Sequence, residues 1–276
     1  MSGMPLKGTV VIVHGMAEHS GNYGAFSEAL QEAGYVAYMG DLLDLGTPDW
    51  DPETGWQRWV EQIQGWVSKA RMDHPELPLF VFGHSMGSYL AQDVVASGVK
   101  ANGLILSATS YESPGLLRFS AGLAWLLSGV FGRRSKGYLF YVLTFGVFNL
   151  MFFPARTPFD WLSRDTIFVD MYRADPRCGG VPTLGFYRAF FKGFAACYGK
   201  GPWTKVKTAV YAFSGTRDPL GKWTKSVLQL VNRYRKAGVT VETRFYPGGR
   251  HVMLWETNRL EVVQDLVRWL DQRINA

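Results

Sequence analysis

Cysteine is nearly absent: the 276-residue chain carries two, Cys178 and Cys197. With no CxxC pair and no Cys/His cluster there is no zinc-site spacing, and two free thiols are expected rather than a disulfide. Internal repeats and low-complexity tracts are missing, which excludes a solenoid. Met1–Gly8 lacks a basic stretch followed by an apolar one, so no signal peptide is expected and the predicted location is cytoplasmic. Acidic charge is scarce in one region. Between residues 111 and 200, five Asp or Glu stand against eleven Lys or Arg, so this segment holds the whole net charge of +6. Such an excess suits an anionic lipid surface or a phosphate-bearing substrate, and a merely solvated basic face is the plain alternative. No nucleic-acid motif accompanies it, so no nucleic-acid partner is expected.

What is present is enough apolar mass, 47% of residues, for one large core. Thr9–Val13 is a continuous apolar run, as a buried parallel strand should be. Phe26, Ala29, Leu30 and Ala33 follow at helical spacing and Gly34 stops them. Tyr35–Met39 reads as a second strand, and Trp56, Val60, Ile63 and Val67 as one face of a helix. Leu79–Phe82 is a third strand, Met86–Ser97 a helix, and Gly103–Ala108 a fourth strand. Alternation then stops until Thr208–Phe213 (strand), Trp223–Lys236 (helix), Val239–Tyr246 (strand) and Asn258–Arg273 (helix). This pattern predicts an α/β fold: a mostly parallel sheet flanked by helices, with a core of residues 1–110 and 201–276 and an inserted cap, or lid, over 111–200. Within the cap, Gly137–Phe153 has no charged residue but is short for a membrane span, and a buried or lipid-facing cap helix is expected.

Gly83-His84-Ser85-Met86-Gly87 matches G-x-S-x-G between a strand and a helix. A sharp turn there strains the serine backbone and brings segments so close that its flanks must be small, while the hydroxyl is exposed at the sheet edge. A serine hydroxyl needs a base to take its proton. In the chain order serine, acid, histidine, the partners are Asp218, after the strand ending near Phe213, and His251, after the last strand. Asp218 would orient the imidazole and stabilise the imidazolium. His14, His19, His74 and His84 do not fit that order, and Asp160, Asp165, Asp170 and Asp175 do not follow a strand. The oxyanion of a tetrahedral intermediate would be met by the backbone N–H groups of Met16 and Met86. His14 is expected to be structural, packing beneath the Gly15–Met16 loop.

With these residues in place, His14-Gly-Met-Ala-Glu-His-Ser-Gly21, the serine motif and Tyr246-Pro-Gly-Gly-Arg-His251 resemble the monoacylglycerol lipase/lysophospholipase branch of the α/β-hydrolases, the serine aminopeptidase S33 group. The resemblance implies an α/β-hydrolase fold and a serine hydrolase acting on monoacylglycerols, lysophospholipids or related carboxylic esters without a metal or organic cofactor. It carries the nucleophile, acid and base roles to Ser85, Asp218 and His251, and the oxyanion role to the amides of Met16 and Met86. The sequence departs from the family at Asp41–Pro48, which lacks the Arg and His of the usual D-x-R-G-H-G-x-S stretch, and in lacking an evident leading β-hairpin. An acyl tunnel is expected from Phe119, Leu123, Trp125–Leu127, Phe131, Tyr138–Leu143, Phe145 and Phe148, half of which could instead pack the cap onto the sheet. Peripheral contact with a membrane through the basic, apolar cap follows from its composition. The same triad could serve an amide or thioester, and a non-catalytic ligand-binding module of the same fold is the reading from another class.

Overall fold

The computed structural model describes residues 5–43 and 51–274. Six strands form one sheet in the order β2-β1-β3-β4-β5-β6: β1 (Gly8–Val13), β2 (Tyr35–Met39), β3 (Leu79–His84), β4 (Gly103–Ser107), β5 (Ala209–Gly215) and β6 (Val241–Tyr246). Every neighbouring pair is parallel. Helices α1 (Gly24–Glu32), α2 (Gly55–Asp73), α3 (Met86–Ala96), α9 (Lys225–Lys236) and α10 (Arg259–Ile274) connect or close the strands. Among the described residues no strand precedes Gly8, and β2 forms an edge of the sheet.

The apolar runs in the strands follow from helices on both faces. Val11, Val13 and Val81 face a core shared with Ile63 of α2, Leu90 of α3 and Leu230 of α9. Val10, Ile12, Phe80 and Phe82, one residue out of phase, face Phe26 and Leu30 of α1 and Leu266, Trp269 and Leu270 of α10. The period of two thus splits each strand between two cores. The helix expected from Trp223 starts at Lys225, because Lys222, Trp223 and Thr224 all adopt positive φ in the turn after Asp218.

Between β4 and β5 the chain is helical: α4 (Pro114–Phe131), α5 (Tyr138–Tyr141), a π-helical turn (Val142–Gly146), α6 (Val147–Leu150), α7 (Thr166–Ala174) and α8 (Leu184–Lys200). Ser113 caps α4 by accepting from the Leu116 N–H, with Pro114 at the first turn. The long apolar helix of this insert is α4, long and apolar enough by length and composition to cross a bilayer, rather than the shorter Tyr138–Leu150 stretch. It packs lengthwise on α8 through a narrow stripe of Leu117, Ala124 and Ser128. The expected tunnel is not built from this helix. Phe119 is 70% exposed, Trp125 59%, and Leu126, Phe131, Tyr138, Leu139, Val142 and Leu143 also face outward. The reason is helical phase: hydrophobic residues all round a helix cannot all face one partner. Leu123, Leu127 and Phe140 pack with Tyr187 and Phe191 inside the insert, while Phe145 and Phe148 pack on Trp161. Cys178 and Cys197 are free thiols.

Helix α8 also docks on α2, where Gly193 lies against the Trp56 ring so closely that a Cβ would overlap it. Gly193→Ala should therefore cost about 1–3 kcal/mol through overpacking, measured by denaturant unfolding. A variant as stable as the wild type would contradict this packing.

Candidate active site

Leaving β3, the chain reverses direction at Ser85, whose backbone sits at φ 50° and ψ −120°. A non-glycine residue there is strained and is held only by its surroundings. The Ser85 N–H donates to the Ser107 carbonyl (3.0 Å), and the Ser88 N–H donates to the Ser85 carbonyl (2.9 Å). A Cβ on Gly83 would overlap the Gly87 carbonyl, and one on Gly87 the Val13 carbonyl, so both small flanks are required. Met86 is the first residue of α3, where the backbone N–H has no partner within the helix.

Asp218 and His251 are both buried, and they meet across the loops after β5 and β6. His251 Nδ1 lies 3.0 Å from Asp218 Oδ1. That oxygen also accepts the Leu220 N–H (3.0 Å), while Oδ2 accepts the Ser214 hydroxyl (3.2 Å). With Ser214 and Leu220 already donating, this carboxylate offers His251 Nδ1 an acceptor, which favours the tautomer with the proton on Nδ1 and the lone pair on Nε2. His251 and Ser85 line one small cavity of about 20 Å³ with Gly15, Met16, Glu18, Trp161 and Tyr172. A larger cavity of about 480 Å³ is lined by Met16, Met86, Trp59 and Phe186, with Asp41, Lys136 and Arg177 at polar positions. Residues 44–48 of the departed Asp41–Pro48 stretch lie outside the described residues.

The loop carrying Met16 is fixed from below. His14 Nδ1–H donates to the Gly15 carbonyl (2.8 Å), and Nε2 accepts the Leu42 N–H (2.9 Å), so one neutral tautomer satisfies both bonds. This is the structural role expected of His14, and burial lowers its pKa. Glu18 accepts from the Gly15 N–H and the Tyr23 hydroxyl, and burial raises its pKa. His84 lies beneath His251 with ring centroids 5.0 Å apart, bonded to Ser107 Oγ (3.1 Å); burial, then the neighbouring His251, push its pKa well down.

Three participants escape sequence reading. Glu18 is visible only as an acid three residues beyond Gly15. Glu256, fully buried, accepts from Arg250 N (2.8 Å) and pairs with Arg164 Nε (2.8 Å), tying the His251 loop to the insert. Trp161 packs on the His251 ring with centroids 4.8 Å apart. Neither belongs to a local motif.

The acids set aside on sequence grounds are committed elsewhere: Asp160 to Thr157, Asp165 to the cap of α7, Asp170 to Arg156, and Asp175 to His19. His19, Asp175 and Cys178 offer ligand atoms within 4.8 Å of one another. All three already have partners: His19 Nδ1 accepts the Gly21 N–H and its Nε2 meets Asp175, while Cys178 donates to Asn22. Burial pushes the Cys178 thiol up to about 12, which disfavours the thiolate a metal needs. The cluster clasps the loop after β1 to the insert.

Because the folded pKa of His84 is lowered, the unfolded chain binds more protons between that value and about 6.5. Its contribution to stability is complete above about pH 6.5 and is lost as pH falls below it; His14 acts in the same direction and Glu18 in the opposite one. Thermal unfolding against pH should therefore fall less steeply below pH 6.5 in His84→Gln than in the wild type. Identical slopes would contradict a buried neutral His84.

Residues 4–258 match the family described as serine aminopeptidase, S33. Over 288 aligned residues the chain is 28% identical to a monoacylglycerol lipase of Mycolicibacterium smegmatis, spanning 96% of this chain and 88% of that protein. Similarity to phospholipase YtpA of Bacillus subtilis reaches 34% over 102 residues, which is 36% of this chain and 39% of that one. A carboxyl esterase from Bacillus coagulans, solved in complex with glycerol, superposes with a TM-score of 0.86 at 26% identity, covering 98% of this chain and 91% of that one. The strained serine turn, the parallel sheet and the match over residues 4–258 agree: the chain belongs to the serine aminopeptidase S33 family, among the monoacylglycerol lipase-like α/β-hydrolases.

Proposed function

We propose that the protein is a serine hydrolase cleaving carboxylic esters of acyl chains, of monoacylglycerol or lysophospholipid type, through an acyl-enzyme on Ser85. One observation carries this reading: the strained Ser85 shares a cavity with His251, whose far nitrogen is bonded to buried Asp218. Nε2 of His251 takes the Ser85 proton as Oγ attacks the ester carbonyl, and the imidazolium is stabilised by Asp218. The carbonyl oxygen, now negative, is met by the N–H groups of Met16 and Met86. His251 returns the proton to the leaving alcohol, and water repeats the sequence to free the acid. The named relatives, a monoacylglycerol lipase and a carboxyl esterase, support an ester substrate. Both oxyanion residues line the cavity of about 480 Å³, which has room for an acyl chain.

Residues 111–200 serve in this reading as a cap that meets an anionic lipid surface. The outward faces of α4 and the α5–α6 stretch carry Phe119, Trp125, Phe131 and Leu143, with exposed Phe153 after α6, and exposed Arg118 on α4 and Arg133, Arg134 and Lys136 between α4 and α5 supply positive charge. Apolar side chains with basic neighbours match a negatively charged headgroup layer.

Ser85→Ala should abolish fluorophosphonate labelling and lower ester hydrolysis by at least about 10⁴-fold, and Asp218→Asn should cost a comparable factor. Retained labelling in Ser85→Ala would refute the nucleophile, and faster turnover of an amide or thioester panel would move the substrate class. In co-sedimentation, the protein should bind phosphatidylglycerol vesicles better than phosphatidylcholine ones, and less well in high salt. Phe119→Ser with Trp125→Ser should weaken that binding while sparing hydrolysis of a soluble short-chain ester. Vesicle binding unchanged in the double variant would rule out this face.

A further inference from the structure

The imidazole of His251 is touched from two sides of the molecule that share no motif. His84, at the end of β3, lies 5.0 Å from it, and Trp161, from the insert, lies 4.8 Å from it with the ring planes tilted by 37°. Trp161 is 3% exposed and is wedged by Phe145 and Phe148 at 5.2 and 5.3 Å. The backbone docks there too: the His251 N–H points to the Trp161 carbonyl (3.4 Å), and the Val252 N–H donates to the Leu162 carbonyl (2.8 Å). Among the described residues the Trp161 Nε1–H has no acceptor, so the ring is held by its faces and edges. A buried indole with an unmet donor carries a desolvation cost that an apolar side chain in the same space would not.

We propose that Trp161 is a positioning residue of the insert whose ring seats the His251 imidazole and stabilises its charged form during acyl transfer. The proposal rests on the serine-hydrolase reading above. A cation within about 6 Å of an indole face is attracted by the ring quadrupole, more strongly where water is excluded. The other groups facing His251 are Asp218 from the loop after β5, buried Glu18 and Tyr172, and His84. Arg250, next in the chain, directs its guanidinium to the Asp160 and Ser163 carbonyls. Asp218 and Glu18 can hold negative charge against the imidazolium, while Trp161 supplies the aromatic face and makes the base depend on a docked insert.

The test compares wild type, Trp161→Leu and Trp161→Phe, each checked for folding by thermal unfolding. On a soluble p-nitrophenyl ester, Trp161→Leu should lower kcat by about 3- to 30-fold with KM within about 2-fold. Its acid limb in the kcat/KM profile should move to lower pH by about half to one unit, because the charged imidazole loses a stabilising partner. Trp161→Phe keeps an aromatic face and should recover most of both. Wild-type kcat and acid limb in Trp161→Leu would overturn the proposal, as would equal losses in both variants with no shift of the limb. A ¹⁵N-histidine NMR titration reads the same contact without turnover: the His251 ring should titrate at lower pH in Trp161→Leu. Identical titrations would overturn the role assigned to Trp161, whereas a displaced titration in a protein that neither hydrolyses nor labels would sink the hydrolase reading alone.

Discussion

At Ser85 the chain passes from β3 into α3 through a backbone conformation that ordinary residues avoid, at a cost of about 1–3 kcal/mol. The surroundings hold it there. β3 lies between β1 and β4, Gly83 and Gly87 leave room for neighbouring carbonyls, and the Ser107 carbonyl at the end of β4 accepts the Ser85 N–H. Relaxing that turn would withdraw the hydroxyl from the cavity it shares with His251 and swing the first N–H groups of α3 away from it. The remaining parts are arranged around this point. Loops after β1, β5 and β6 bring Met16, Asp218 and His251 to the same edge of the sheet.

Much of this core was legible because its signals are local. Apolar runs at β1, β3, β4 and β5 mark strands buried on both faces, and the G-x-S-x-G spacing marks the turn by its steric demand. The order of Ser85, Asp218 and His251 is a property of the chain, and the structure brings the last two within 3.0 Å. Even where a boundary moved, at Lys225, the cause lay in the left-handed turn after Asp218, which composition does not reveal.

The insert was far less legible. Its richness in aromatic and aliphatic residues suggested a tunnel, yet hydrophobicity without phase does not say which side of a helix meets the protein. Helix α4 buries only a narrow stripe against α8, and most of its large side chains face outward. The space beside the Gly15–Met16 loop is lined instead by scattered residues such as Trp59, Val181 and Phe186. Glu256 and Trp161 were unreadable for a related reason: each acts through a partner that only the tertiary structure places beside it, whereas Glu18 bonds the nearby Gly15 N–H and Tyr23 hydroxyl. Glu18 braces the Met16 loop from within, Glu256 and Trp161 tie the His251 loop to the insert, and Tyr172 and Asp175 tie the insert to the loop after β1, so this edge of the sheet depends on contacts from all three.

Every role proposed above depends on one event, the acylation of Ser85 Oγ with the help of His251 and Asp218. Intact-protein mass spectrometry of an acid-quenched reaction with an excess of a p-nitrophenyl acyl ester tests it most directly, followed by peptide mapping. One added acyl group is expected, on the peptide containing Ser85, and it should disappear as substrate is exhausted. An acyl group mapped to any other residue, or turnover that persists in Ser85→Ala, would contradict it.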